Sequence, residues 1–182
     1  MTVQHSLDPR SPWVVGIHEL MRRPGEMKSL KREIPAPAAV GVGMIRVPEG
    51  SPIAIDLRLE SVSEGVLATG VVSAALVGEC ARCLGEVSDH RDFSLQDLYY
   101  YPGRPAEEDS LFIVDHHIDL EPPMRDAIVL ELPFVPLCRE DCLGLCPECG
   151  FVLNDDPSHR HERDIDPRWA VLQELTDQAD GR

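Results

Sequence analysis

Residues 138–150 read CREDCLGLCPECG, placing four cysteines within twelve residues. The other two cysteines of the chain stand far upstream, in Cys80-Ala-Arg-Cys83. A Cys-x-x-Cys pair aims two sulfurs at one point, at the spacing a tetrahedral zinc ion needs with Zn–S bonds of about 2.3 Å. Cys146-Pro-Glu-Cys149-Gly150 is the sharper pair. Its proline stiffens the turn and its glycine accepts positive φ, so that backbone N–H groups can point back at the sulfurs. Two such knuckles with a Cys-x3-Cys between them read as a structural metal protein.

Outward from the cysteines, the clearest strand is Ile53–Glu60, where Ile53, Ile55, Leu57 and Leu59 alternate with Ala54, Asp56, Arg58 and Glu60. That is the period-two pattern of a half-buried strand. Ser63-Glu64-Gly65 is a turn, and Val66–Val77 returns as a second strand that runs into the first knuckle. Val87–Tyr101 leaves the knuckle as a third strand with Phe93, Leu95 and Tyr99 on one face. The expected fold is therefore α+β: an antiparallel β-meander core with a few short helices and a zinc-knuckle C-terminal lobe. Trp13–Ile17 and Leu111–Val114 read as short strands, and Val40–Val47 as a short apolar piece. Leu20–Arg32 is mixed and basic, and the prolines of Ile34–Ala39 suggest an extended linker. A helix is expected from Leu120 to Leu132, capped by Asp119, with Pro122 and Pro123 in its first turn and Met124, Ala127, Ile128 and Glu131 along one face. Asp166-Pro167 opens a final short helix carrying Trp169, Leu172 and Leu175. The expected organisation is an N-terminus without structure over 1–12, a core over 13–137 holding the first knuckle, and a metal-binding lobe over 138–178.

Composition narrows the function. Lys+Arg 17 against Asp+Glu 32 gives a net charge of −15, which argues against a simple nucleic-acid binder. The first 35 residues hold six of the basic groups and four of the acidic ones, so the remainder carries a net −17. Arg22, Arg23, Lys28, Lys31 and Arg32 form the one basic concentration. No apolar leader opens the sequence, and no apolar run reaches the roughly 18 residues of a membrane span. Reduced metal ligands in the cytoplasm are the expectation, rather than three exported disulfides. No nucleophile with a base, carboxylate pair or phosphate loop stands out. His116-His117 beside Asp115 is the best remaining catalytic candidate, which a polar strand-to-helix connection explains equally well.

For the cysteines the alternatives are zinc, redox chemistry and plain burial. A redox Cys-x-x-Cys ordinarily opens a helix whose N-terminus lowers the thiol pKa. Cys80 instead follows a strand and the acidic Glu79, which favours metal. One site made of Cys138, Cys142, Cys146 and Cys149 is possible on spacing. Two sites use all six cysteines and give a role to His159 and His161, two alternating histidines that would otherwise be solvated residues of an acidic tail.

Glu79-Cys80-Ala81-Arg82-Cys83, Leu132-Pro133-Phe134-Val135-Pro136, Cys138–Gly150 and Asp166-Pro167-Arg168-Trp169-Ala170-Val171-Leu172 together resemble the YceD-like family. These are bacterial proteins, with plastid relatives, linked to accumulation of large-subunit (23S) ribosomal RNA. The resemblance spans about residues 13–175. Some branches keep the first knuckle and a ligand-like pair after the Pro-x-x-Pro turn but lack the Gly-Leu-Cys-Pro-x-Cys-Gly segment. This implies that Cys80, Cys83, Cys138 and Cys142 form one unit. Many relatives with that segment carry Cys-x-Cys where this chain has His159-Arg160-His161, one zinc-ligand type for another. The resemblance thus implies two structural zinc ions (Cys80, Cys83, Cys138, Cys142; and Cys146, Cys149, His159, His161), with one ion as the lesser case. It further implies a non-enzymatic accessory protein of large-subunit biogenesis, the alternative being a metal-dependent or thiol-redox enzyme. The resemblance implies a large-subunit precursor or 23S ribosomal RNA as partner, and the acidic charge of the body points to a basic ribosomal protein, with no membrane and no small-molecule substrate. Arg22, Arg23, Lys28, Lys31 and Arg32 would touch RNA phosphates, unless they merely neutralise the protein's own acidic surface.

Overall fold

The computed structural model describes residues 7–103 and 110–161. The chain divides into two compact units, Met1–Cys142 and Leu143–Arg182. The division falls after Cys142, whereas the sequence reading opened the second lobe at residue 138. Cys138 and Cys142 stay with the first unit.

In the first unit the chain forms β1 (Val14–Gly16), a 3-10 turn (His18–Leu20), β2 (Met27–Pro35), β3 (Val40–Val42), β4 (Ile45–Val47), β5 (Pro52–Ser61), β6 (Gly65–Glu79), β7 (Glu86–Tyr100), β8 (Leu111–Phe112), β9 (His117–Asp119) and α1 (Glu121–Glu131). The meander read from alternation is β5–β6–β7. On β5 the buried set is Ile53, Ile55, Leu57 and Leu59, with Ala54, Asp56 and Arg58 exposed. β6 pairs antiparallel with β7 along its whole length, from Gly65↔Tyr100 to Glu79↔Glu86. Its other edge is shared in succession by β5 (Val66 to Ala74) and β4 (Val77 and Gly78). Phe93, Leu95 and Tyr99 lie buried on β7. The two long strands thus run as one ribbon whose turn, residues 80–85, carries the first knuckle.

One face of the sheet is covered. α1 packs against β3, β6 and β7. Met124 and Ile128 are buried beneath it, and Glu131 at its end accepts the Ser94 N–H at 3.1 Å. β1 and β9 pair antiparallel, bringing Trp13, Val15, Ile17, Leu20, Ile118 and Leu120 into the same core. The Tyr99 hydroxyl donates to the Asp119 carbonyl at 2.7 Å. Asp119 precedes the N-cap position, Leu120, and its carboxylate takes the Glu121 N–H at 3.0 Å.

Four sequence expectations change. The end of the basic stretch and the start of the linker after it, Met27–Pro35, form one edge strand, β2, paired with β5 from Met27↔Glu60 to Pro35↔Pro52. Lys28 and Arg32 share the core-side positions with buried Leu30 and Ile34, so no alternation showed. At a sheet edge a long basic side chain can lay its stem on apolar surface while its charge reaches water. Val40–Val47 is not one piece but the β3–β4 hairpin. The strand at Leu111 stops at Phe112, with Val114 bridged to His117. The connection after it is a tight turn: Asp115 and His116 both take left-handed φ (47° and 62°) and send the chain back as β9. Among the described residues there is one α-helix and one 3-10 turn. The helix expected after Asp166, the loop over 104–109 and residues 1–6 lie outside the described residues.

Asp97 sits half-buried on the covered side of β7. Burial raises its pKa, and Asp126 raises it further. A carboxyl whose folded pKa is raised binds its proton more tightly in the native state, so it costs stability above that pKa. Asp97→Asn is expected to raise the melting temperature modestly at pH 7. The gain should shrink as pH falls through the carboxylate range. A thermal denaturation series of both proteins against pH checks this.

Candidate metal centres

The first cluster closes entirely within the first unit. In the knuckle, the Cys80 N–H donates to Gly85 O (2.7 Å) and the Leu84 N–H to Cys80 O (2.9 Å). Leu84 takes φ 59° where glycine would sit freely. Ala81 N–H donates to Pro136 O at 2.8 Å, docking the segment after α1 beside the knuckle. Pro133 and Pro136 keep the chain from continuing the helix, and the segment bends at Phe134 and Val135 on its way to Cys138. The result is four sulfurs in one place: Cys80 and Cys142 are 3.7 Å apart, Cys83 and Cys138 3.6 Å, and all four lie within 4.8 Å of one another. A regular tetrahedron with Zn–S bonds of 2.3 Å has S–S edges of roughly 3.8 Å. Disulfides need about 2.05 Å, so these are free thiols gathered around a point.

Their acid–base behaviour suits the binding of a cation. Burial alone would raise the Cys80 thiol, but N–H groups of Cys138, Cys83 and Arg82 directed at its sulfur bring it down to about 6. Cys138 is pushed up to about 12, by desolvation and then by the neighbouring thiols of Cys83 and Cys142. One thiolate forms readily and the last resists, because each added charge repels the next. A divalent ion held by Cys80, Cys83, Cys138 and Cys142 would offset that repulsion and favour their thiolate forms. Arg82 adds a strut, its Nη1 donating to the Cys142 carbonyl at 2.8 Å.

The second cluster belongs to the second unit. Cys146 N–H donates to Phe151 O and Gly150 N–H to Cys146 O, both at 2.8 Å, and Leu145 bridges Val152. Gly144 and Gly150 take φ 80° and 75°, the left-handed turns a side chain would strain. N–H groups of Cys149 and Glu148 lower Cys146 to about 6. His159 Nε2 and His161 Nε2 lie 3.3 and 3.2 Å from Cys149 Sγ and 3.0 Å from each other. With Cys146 the four donor atoms again fall within 4.8 Å. Both histidines present Nε2 to the centre. His161 turns Nδ1 toward the Glu148 carboxylate at 3.7 Å, the arrangement that orients metal-bound imidazoles. Phe151 stacks on His159 at 4.6 Å. Each cluster can hold one metal ion, and both donor sets are compatible with zinc.

The structure therefore brings together the eight cysteine and histidine residues singled out by spacing and resemblance, in the two sets expected. Arg82, Glu148 and Phe151, which support them, carry no periodic or spacing signal. The five basic residues do not form one patch. Arg22 and Arg23 lie in the turn before β2, while Lys28 and Arg32 occupy one side of that strand and Lys31 the other. Lys28 pairs with Glu19 (3.5 Å) and Lys31 with Asp56 (2.7 Å). Among the described residues no ion pair reaches Arg22, Arg23 or Arg32. Arg22 has φ 55°, and its N–H is held by the Tyr101 hydroxyl at 2.9 Å. His116 and His117 meet His18, with ring centroids 4.7 and 5.9 Å away. Turn geometry accounts for that pair, since His117 Nδ1 lies 2.7 Å from Asp115 O.

An antiparallel sheet whose ribbon turn ends in a four-thiol cluster, followed by a small unit built on a Cys2His2 cluster, defines a protein with two candidate structural metal sites. The chain belongs to the family of the large ribosomal RNA subunit accumulation protein YceD, whose model matches residues 68–176, well over half of it. The uncharacterized protein Rv2926c of Mycobacterium tuberculosis is 51% identical over 170 residues, 91% of this chain and 82% of that protein. An uncharacterized protein of Mycobacterium leprae is 46% identical over 170 residues, covering 91% and 78%. The uncharacterized protein YlbN of Bacillus subtilis is 28% identical over 133 residues, covering 71% and 77%. No solved structure matches the chain significantly. Among the described residues no helix is long and apolar enough to cross a membrane.

Proposed function

We propose that this chain is a non-enzymatic accessory protein of large-subunit ribosome biogenesis, supporting accumulation of large-subunit ribosomal RNA, with two structural zinc ions. The observation that carries the reading is the pre-gathered donor sets in a member of this family. Four protein ligands per ion leave no open position for a reacting water, so the ions act as staples rather than Lewis acids. Cys80 and Cys146 owe their low pKa to knuckle N–H groups rather than to a helix N-terminus, which suits metal ligation better than thiol exchange.

Depleting the protein from growing cells is expected to lower the ratio of large- to small-subunit ribosomal RNA, and wild-type protein should restore it. Cys80→Ser, which removes a ligand of the first ion, should fail to restore it. An unchanged ratio on depletion would overturn the reading. Full rescue by Cys80→Ser would remove the metal from it.

Arg22, Arg23, Lys28, Lys31 and Arg32 are the proposed RNA-facing cations, Arg22, Arg23 and Arg32 first because no ion pair engages them among the described residues. Replacing all five with Gln is expected to weaken association with large-subunit particles and flatten its salt dependence. The melting temperature should barely move, because exposed ion pairs contribute at most about 1 kcal/mol. Sedimentation of tagged protein with particles at several salt concentrations reads this out. Unchanged association would assign these residues to charge balance alone.

A further inference from the structure

Beside the first metal cluster the chain displays apolar side chains that its own core does not use. Phe134 is 87% exposed, Leu130 81%, Val135 62% and Leu84 58%. The Ala81–Pro136 hydrogen bond and the Cys83–Cys138 contact hold the knuckle tip, with Leu84, against the segment carrying Phe134 and Val135. Leu130 lies on the last turn of α1, opening into that segment. Two features argue against incidental exposure. Leu84 occupies a left-handed position that glycine would fill without strain, a strain that a solvent-facing leucine does not offset by packing. Phe134 is one of only four phenylalanines in the chain, and a large aromatic side chain left in water beside other exposed apolar groups marks an interaction site.

The surroundings say what would sit there. Glu79 and Glu86 stand directly opposite each other at the foot of the knuckle, a like-charge pair that destabilises a ribbon. Glu131 and Glu140 flank the apolar segment. Of the cations near this segment, Arg125 pairs with Glu121 (2.9 Å), Arg139 with Asp141 (3.5 Å) and Arg82 holds the Cys142 carbonyl (2.8 Å), while Arg46 lines one cavity with Glu79 and Glu86. An apolar centre with a negative rim fits a positively charged protein segment bearing an apolar anchor. It repels nucleic-acid phosphates and, at a net charge of −15, a second copy of the chain.

We propose that Leu84, Leu130, Phe134 and Val135 form the docking site for a cationic segment of a basic large-subunit protein, which this chain shields before that protein meets RNA. The proposal deepens the biogenesis reading and rests on it.

The test passes total protein from large ribosomal subunits, freed of RNA, over the immobilised full-length, metal-loaded chain. Deproteinised ribosomal RNA is run separately. A defined basic protein should be retained at low salt and released by about 0.5 M salt, where screening leaves only a few ångströms of reach. The double variant Leu130→Ser, Phe134→Ser should retain it about tenfold less or worse, with unchanged melting temperature and metal content, since both side chains are exposed. Equal retention by the variant overturns the proposal. So does retention of RNA instead of protein, or a wild-type dimer that the variant dissociates with no basic protein bound. In depleted cells, rescue of the ribosomal RNA ratio by wild type and equally by the double variant overturns the docking site and leaves the biogenesis reading standing. An unchanged ratio on depletion overturns both.

Discussion

Replacing Cys80 with Ser is expected to remove one metal ion and lower the stability of the first unit by about 4 kcal/mol. The ligand pairs Cys83 and Cys138 are 55 positions apart, so the ion closes a loop of that length. The chain-entropy estimate for a cross-link of such a span is about 4 kcal/mol, and losing the ion also leaves the buried Cys142 thiol with no cation to bind. In a protein of this size each kcal/mol moves the melting temperature by roughly 2–4 °C, so a drop of about 10 °C is expected. Against a typical total of 5–15 kcal/mol, this is a large fraction. Ala81, which turns its N–H to Pro136 but offers no ligand, provides the control: Ala81→Ser should keep both the ion and the melting temperature. Calorimetry of the three proteins, with metal content measured on the same samples, reads the difference.

The second large effect concerns the small unit. Among its described residues only Gly144 and Cys146 are buried, so residues 143–161 have next to no apolar core among themselves. Units of about 40 residues ordinarily need metals or disulfides to hold a structure. Here the ion would supply nearly all the folding free energy, and Cys146→Ser is expected to unfold the unit locally. Hydrogen exchange gives the sharpest readout. The Cys146, Gly150 and Leu153 amides, hydrogen-bonded in the knuckle hairpin, should lose protection, while the β6–β7 amides keep theirs. Chelator titration should likewise strip this cluster first, because two of its ligands, Cys149 and His161, are exposed.

How much of this could be read without coordinates differs by element. The β5–β6–β7 meander was legible because one face is buried and the other open, which forces alternation. β2 was not, because two of its core-side positions are Lys28 and Arg32, and β9 was not, because three residues after a histidine turn are too short for any period. α1 was legible from its prolines and its buried Met124 and Ile128. The knuckles were legible because metal geometry constrains spacing directly. The pairing of Cys80 and Cys83 with Cys138 and Cys142 was different. Spacing allowed another partition, and the resemblance to relatives chose between them. The fold adds what no spacing encodes, the Ala81–Pro136 bond and the Arg82 strut that bring distant ligands together. The exposure of Leu84, Leu130 and Phe134 was equally hidden, because a leucine or phenylalanine in sequence looks like core until its neighbours are known.

The central claim is that eight named side chains hold two ions. Native mass spectrometry of the protein purified without added chelator tests it most directly. Two zinc ions per chain are expected in the wild type, one in Cys80→Ser and one in the double variant His159→Ala, His161→Ala. A wild-type chain that carries one ion and keeps it when both histidines are replaced would contradict the second site. A folded chain that carries none would contradict the claim as a whole.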